Sequence, residues 1–167
     1  MKEIQKLTLA GLYVALGSVL KISSIQITES MRISLFAVPI ILAGFYLGPI
    51  YGLMVGFAVD TVYFMISPYA SFWSLYTITT TIWGLSGWLI RKMQHRYHFF
   101  AFVIIIFLTS IFETAWNSFA NYFYGLDVWG TMFFRVITML ARLPILVFVV
   151  NVLTEKIKVL EVAISKS

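Results

Sequence analysis

The sequence predicts an all-α integral membrane protein, a bundle of six transmembrane helices in a single domain over residues 1–167. Of these residues, 60% are hydrophobic and only 11% are charged, and the mean hydropathy is +0.92. A soluble domain carries about 25% charged residues, so a soluble fold is excluded. The apolar stretches are separated by short polar or Gly/Pro-containing turns, as expected of a multi-pass protein.

Each helix follows from an apolar run and the turn that ends it. Residues 32–60 are too long for one crossing, and the Gly48-Pro49 pair in their middle predicts two short helices folded back on each other. The polar residues 23–31 form the first loop. The predicted helices span about residues 4–22, 33–47, 50–66, 72–90, 99–123 and 129–153.

Lysine and arginine fall unevenly on the two sides of this topology. Eight lie on the side of the two termini, whereas the other side holds only Lys21 and Arg32. Because cytoplasmic loops are enriched in basic residues, we expect both the N and C termini to be cytoplasmic. The net charge of +5 is thus explained by topology, and no nucleic-acid partner is expected.

Two polar stripes on helices five and six predict a pocket that opens to the outside. Glu113, Asn117 and Asn121 share one face of helix five, while Arg135 and Arg142 share one face of helix six. The helices are antiparallel and joined by a short loop, so the stripes can face each other at matched depth. Ionisable groups at membrane depth are costly and mark functional sites. For Glu113 and Arg142, a structural ion pair is an equally good interpretation.

Helix four is expected to supply another wall of the pocket. Trp73, Tyr76, Thr77 and Thr80 fall on one face near its outer end and combine stacking surfaces with hydroxyl groups, as a heteroaromatic ligand needs. For Trp73, an aromatic belt at the lipid interface is the alternative.

Two further charges lie in the stretch of residues 32–60. Asp60 is predicted inside the membrane, where it either binds a ligand or accepts hydrogen bonds from neighbouring helices and Arg32. Arg32 lies where the chain enters the membrane, and it is either a ligand group or an interfacial anchor.

Helix one carries small residues one turn apart, Gly11 and Ala15, which allow another helix to approach closely. The chain has no cysteine, and its sequence contains no metal-ligand set, phosphate-binding loop or nucleophile–base arrangement. We therefore expect no metal, no cofactor and no enzymatic activity.

The sequence resembles the folate-type substrate-binding (S) components of energy-coupling factor (ECF) transporters over nearly its whole length. The residues that carry the resemblance lie on helices two, three, five and six. They are Arg32, Ile33, Ser34, Pro39, Ile40, Ala43, Gly44, Gly48, Pro49, Gly52, Gly56, Asp60, Thr114, Trp116, Tyr124, Gly125, Arg135, Pro144 and Ile145.

This resemblance implies a subunit of the bacterial plasma membrane that captures a vitamin outside and delivers it inward. The implied partners are a transmembrane coupling protein, on which Gly11 and Ala15 dock, and two ABC ATPase subunits that hydrolyse ATP. The loops between helices one and two and between three and four are expected to close over the vitamin.

The sequence departs from the folate-type pattern in the predicted pocket. Glu113 stands where the family usually has asparagine, and residues 71–77 replace an aromatic-Pro-Gly-aromatic-Thr run. Hydroxymethylpyrimidine or pyridoxine is therefore an alternative to folate, because Glu113 can pair with ring nitrogens or an amino group. A self-sufficient secondary transporter that uses Asp60 and Glu113 for proton coupling is disfavoured, since the sequence shows no internal repeat.

Overall fold

The computed structural model describes residues 3–28, 31–33, 35–66, 75–93 and 98–165. These residues form six α-helices in the predicted order and one two-stranded β-hairpin. The elements are α1 (Glu3–Ile22), β1 (Ile25–Thr28), β2 (Met31–Ile33), α2 (Ala37–Leu47), α3 (Pro49–Ile66), α4 (Tyr76–Met93), α5 (His98–Phe123) and α6 (Trp129–Ser165).

The all-α class is confirmed, and a short β-hairpin is added in and next to the predicted first loop. Strand β1 pairs with β2 in antiparallel register, with Ile25 opposite Ile33 and Gln26 opposite Arg32. Alternating polar and β-branched residues favour strands in this segment. Helix α2 consequently begins at Ala37, not near residue 33.

Helix α6 also differs from its predicted bounds, because it continues to Ser165 instead of ending near residue 153. Its last part mixes charged and apolar residues at helical spacing, so the helix outlasts its apolar segment. Three segments among the described residues are long and apolar enough to cross a membrane: Pro49–Ile66, Phe102–Phe123 and Val128–Glu155.

Helix α2 is the centre of the bundle. All of its residues except Tyr46 are buried, and it packs on α1, α3, α4 and α6. A helix that is apolar on every side and shielded by its neighbours is a core element, so α2 need not have the length of a lipid-exposed span.

Glycines bring α2, α3 and α4 into backbone contact. A Cβ atom added at Gly84 would lie 2.0 Å from the carbonyl oxygen of Gly52, and one added at Gly44 would lie 1.8 Å from that of Gly84. Both distances are far below van der Waals contact, so no larger residue fits. Such close approach is how membrane helices gain packing energy where water supplies no hydrophobic drive.

Four helices form a ring around the interior of the bundle: α2 packs on α4, α4 on α5, α5 on α6, and α6 on α2. Strand β2 packs on α6 and lies at one end of this ring. We call this end the hairpin end. It holds the last turns of α1, α3 and α5 and the first turns of α2, α4 and α6.

Polar contacts fasten the opposite end. Tyr51 of α3 donates a hydrogen bond to Glu3 Oε2 at 2.9 Å, and Lys6 pairs with the other oxygen of Glu3. The hydrogen bond from Lys6 lowers the pKa of Glu3 below its usual value. Arg91 donates to the carbonyl oxygens of Phe45 and Tyr46 at 3.2 and 3.3 Å, at the end of α2.

The glycine contacts predict a selective loss of stability. Gly84→Ala should destabilise the protein by about 1–3 kcal/mol, because the added methyl group collides with backbone that cannot move aside. Gly11→Ala is the matched control, since nothing lies within 4 Å of that position. Thermal unfolding of the purified variants measures the difference. Equal unfolding temperatures for the two variants would contradict this packing.

Candidate functional site

The candidate site lies inside the four-helix ring at the hairpin end. Helix α4 contributes Tyr76, Thr79 and Trp83, whose spacing places them on one face. This face meets the predicted polar stripe of α5, and α6 adds its two arginines. The side chains form three levels, from the hairpin end inward.

The upper level is centred on Asn121, whose side chain is fully buried. Its Oδ1 atom accepts hydrogen bonds from the hydroxyl of Tyr76 and, at 3.2 Å, from Nη2 of Arg135. Its Nδ2 atom donates to Thr131 Oγ1 at 3.4 Å. One amide thus joins α4, α5 and α6 at the mouth of the ring.

The middle level joins α4 to α5. Thr79 Oγ1 donates to Asn117 Oδ1 at 3.3 Å. Next to it, Trp116 Nε1 donates to the carbonyl oxygen of Leu75 at 2.8 Å, and the Leu75 amide donates to the Tyr124 hydroxyl at 3.2 Å. These two bonds hold the start of α4 and therefore the position of Tyr76 in the level above.

The inner level is an ion pair between Glu113 of the α5 stripe and Arg142 of the α6 stripe. The Arg142 guanidinium lies 5.6 Å from the centre of the Trp83 ring, within cation–π range. Trp83 Nε1 and Ser110 Oγ are buried, and neither has a hydrogen-bond partner within the described part of the chain. The predicted ion pair is thus formed. It lies against the ring of Trp83, whose Nε1 donor makes no hydrogen bond within the described residues.

A second polar cluster lies on the other side of α4. Asp60 pairs with Lys21 of α1, and Thr80 Oγ1 lies 3.1 Å from Lys21 Nζ and 3.2 Å from Asp60 Oδ1. The sequence analysis does not identify Lys21 as the partner of Asp60, because it counts Lys21 among the basic residues on the side opposite the termini. The feature that could have identified this pair is a single cation near the end of an apolar helix, with a carboxylate available at similar depth.

Thr77 belongs on the side of this second cluster. It lies three residues before Thr80 and hence on the same helical face, and its hydroxyl is buried with no hydrogen-bond partner among the described residues. Tyr76 and Thr77 are adjacent residues and differ by about 100° around the helix, so their joint place in one ligand pocket stays a prediction.

The remaining predicted residues are placed as follows. Arg32 lies in β2, opposite Gln26, and Trp73 lies outside the described residues. Gly11 and Ala15 are exposed on the surface of α1. Within the described ranges, no three His, Cys, Asp or Glu residues are grouped so that they could hold a metal ion.

Apolar helices with buried hydrogen-bonding groups inside one end define a membrane-embedded protein of the ligand-binding and transport class. The sequence model of the family described as ECF transporter, substrate-specific component, matches residues 5–164. Because this match covers nearly the whole chain, the chain belongs to that family. Members of this membrane-embedded family are S components, the substrate-specific subunits of ECF transporters.

Two other proteins are similar to this chain. The solved structure of the S component of a bacterial ECF transporter superimposes with a TM-score of 0.66 at 18% sequence identity, covering 94% of this chain and 99% of that one. A Mycoplasma pneumoniae protein, described as an uncharacterized protein MG313 homolog, is 22% identical over 143 residues. The match covers 74% of this chain and 50% of that protein, so the chain spans about half the length of this curated relative.

The inner ion pair predicts a non-additive response to mutation. Arg142→Met alone should destabilise the protein by about 3–5 kcal/mol, because it leaves the Glu113 carboxylate buried without its counter-charge. Adding Glu113→Gln should restore most of the lost stability, since neither of the two positions then carries a charge. Thermal unfolding of the single and double variants tests this double-mutant cycle. Losses that simply add would show that the two groups do not depend on each other.

Proposed function

We propose that this S component captures a water-soluble B-type vitamin, with folate favoured, from outside the cell and delivers it inward with a shared ATP-driven module. The observation that carries the proposal is the upper level, where Tyr76, Asn121 and Arg135 converge from three helices at the hairpin end of the ring. This arrangement brings together a flat aromatic side chain, an amide and a guanidinium, which suits a polar heteroaromatic ligand.

Folate chemistry fits the order of the levels. The carboxylates of the folate tail would meet Arg135 near the mouth, where a guanidinium forms charge-assisted hydrogen bonds. The ring system would enter between α4 and α5, where Asn117 and Asn121 offer both donors and acceptors. Arg32 of β2 and Trp73, which precedes α4 in the sequence, would complete the site.

A smaller vitamin is supported by a different observation, the Glu113 carboxylate of the inner level. A carboxylate accepts hydrogen bonds from an amino group or a protonated ring nitrogen. Hydroxymethylpyrimidine and pyridoxine present such groups without a tail that needs Arg135. The roles of Glu113 and Arg135 in binding therefore discriminate between the two vitamin classes.

We infer the membrane orientation and the partner subunits from the same fold. The hairpin end would face outward and both termini would be cytoplasmic, in agreement with the concentration of Lys and Arg at the opposite end. Gly11 and Ala15 would dock on a transmembrane coupling protein, since both are exposed on α1 and Gly11 has open space in front of it. Two ABC ATPase subunits would supply the energy, in the plasma membrane of a bacterium.

A proton-coupled secondary transporter is less well supported. Its two candidate proton carriers, Asp60 and Glu113, are each neutralised by a cation, Lys21 and Arg142 respectively. Thr77 and Asp60 remain ligand candidates only if the ligand reaches the α3 side of α4.

Arg135 provides the direct test of the binding site. Arg135→Ala should weaken folic acid binding by at least about 100-fold, because a buried charged partner of the ligand is lost. Arg135→Lys should recover part of this affinity, since it keeps the charge but not the planar fork. Isothermal calorimetry on the purified protein measures both. Normal binding by the alanine variant would show that the pocket lies elsewhere.

Two comparisons complete this experiment. Gly11→Leu should bind folic acid normally yet fail to co-purify with the coupling module, because the change lies on the outer surface of α1. Thermal-shift screening of the unmodified protein against folic acid, hydroxymethylpyrimidine and pyridoxine separates the vitamins. Stabilisation by one of the small rings alone, with loss in Glu113→Gln, would favour the alternative over folate.

A further inference from the structure

Lys21 contacts several helices, and a residue that only set the orientation of the chain in the membrane would need none of these contacts. Its ammonium group pairs with Asp60 of α3 and lies 3.1 Å from Thr80 Oγ1 of α4. It also lies 4.9 Å from the centre of the Phe36 ring and 5.2 Å from that of Tyr63. One side chain of α1 therefore contacts α3, α4 and the residue that precedes α2.

These contacts surround the two points where the β-hairpin joins the helices. Lys21 is in the last turn of α1, shortly before β1 begins at Ile25. Phe36 follows β2, which ends at Ile33, and it immediately precedes α2. The contact between Lys21 and Phe36 thus joins the chain entering the hairpin to the chain leaving it. Asp60 and Thr80 then fix this junction to α3 and α4.

The energetics give this ion pair a role beyond general stability. Removing an ammonium and a carboxylate from water is expensive, and well-packed apolar side chains often stabilise a protein as well as a buried ion pair does. The ion pair instead fixes the relative position of the two groups that it joins, because a hydrogen-bonded pair has one favourable geometry and an apolar contact has many. At the base of a short hairpin, that geometry determines where the hairpin lies.

We propose that Lys21 is a positioning residue that holds the β-hairpin over the hairpin end of the four-helix ring. The proposal rests on the proposed function only in the role that it gives to the hairpin, which is to cover the ligand. The Lys21–Asp60 pair joins α1 to α3, whereas the upper and inner levels of the proposed ligand site join α4, α5 and α6. Without the Lys21–Asp60 pair the helices keep their packing, and the hairpin samples a wider range of positions.

A ligand-independent measurement tests this inference. The chain has no cysteine, so spin labels can be attached at introduced cysteines alone. Gln26→Cys in β1 and Phe119→Cys on the exposed surface of α5 report the position of the hairpin. Met65→Cys with Phe119→Cys reports the packing of α3 relative to α5, because Met65 is also exposed. Pulsed electron paramagnetic resonance measures the distribution of distances between the two spin labels of each pair, with the protein in lipid nanodiscs.

The test variant combines Lys21→Met with Asp60→Asn, which removes both charges and leaves no buried carboxylate without a partner. We expect the hairpin distribution to broaden by at least about twofold, as for a segment released from its tertiary contacts, while the helix pair stays unchanged. The matched control combines Glu113→Gln with Arg142→Met, which removes the other buried ion pair and should leave the hairpin distribution narrow.

Three results would overturn the inference. The hairpin distribution could keep its width in the Lys21 and Asp60 variant, or both label pairs could broaden equally, which would make Lys21 a general support of the fold. Equal broadening of the hairpin in the Glu113 and Arg142 control would show that the effect is not specific to Lys21. None of these results depends on which vitamin binds, so they leave the proposed function to be tested separately.

Discussion

The structure depends on the backbone contact of α4 with α2 and α3. The glycines at these crossings leave room for carbonyl oxygens where any side chain would collide, so α4 is held at one depth and one rotation. That rotation directs Tyr76, Thr79 and Trp83 towards α5 and α6, and it directs Thr80 towards Asp60. The proposed ligand pocket and the Lys21 cluster are therefore two faces of one helix, and neither would exist if α4 turned by a single residue.

Charge within the bundle is arranged in pairs. Lys21 with Asp60 and Arg142 with Glu113 each bring together two groups that would be costly alone in an apolar interior. One pair joins α1 to α3, and the other joins α5 to α6. Arg135 lies at the upper level, where it donates a hydrogen bond to the amide oxygen of Asn121. A guanidinium at this position can form charge-assisted hydrogen bonds with a ligand carboxylate, which is why Arg135 is central to the proposed binding site.

Much of this arrangement follows from the sequence, because hydropathy and helical spacing are local properties. The six helices follow from apolar runs, and the stripes of α5 and α6 bring Glu113 to Arg142. The hairpin was missed because a short polar segment carries a weak strand signal. Lys21 was missed as the partner of Asp60 because that contact depends on how α1 packs on α3. The rotation of α4, on which Thr77 depends, is likewise fixed by tertiary contacts at its glycines.

The central claim is that this chain captures a vitamin and relies on partner subunits for energy. The most direct measurement is uptake of radiolabelled folic acid by bacterial cells that produce this protein with or without the coupling protein and its two ATPases. The account predicts uptake only when all the partners are present, together with binding by the isolated protein in both cases. Uptake that persists without the partner subunits would contradict it, because an S component has no energy source of its own.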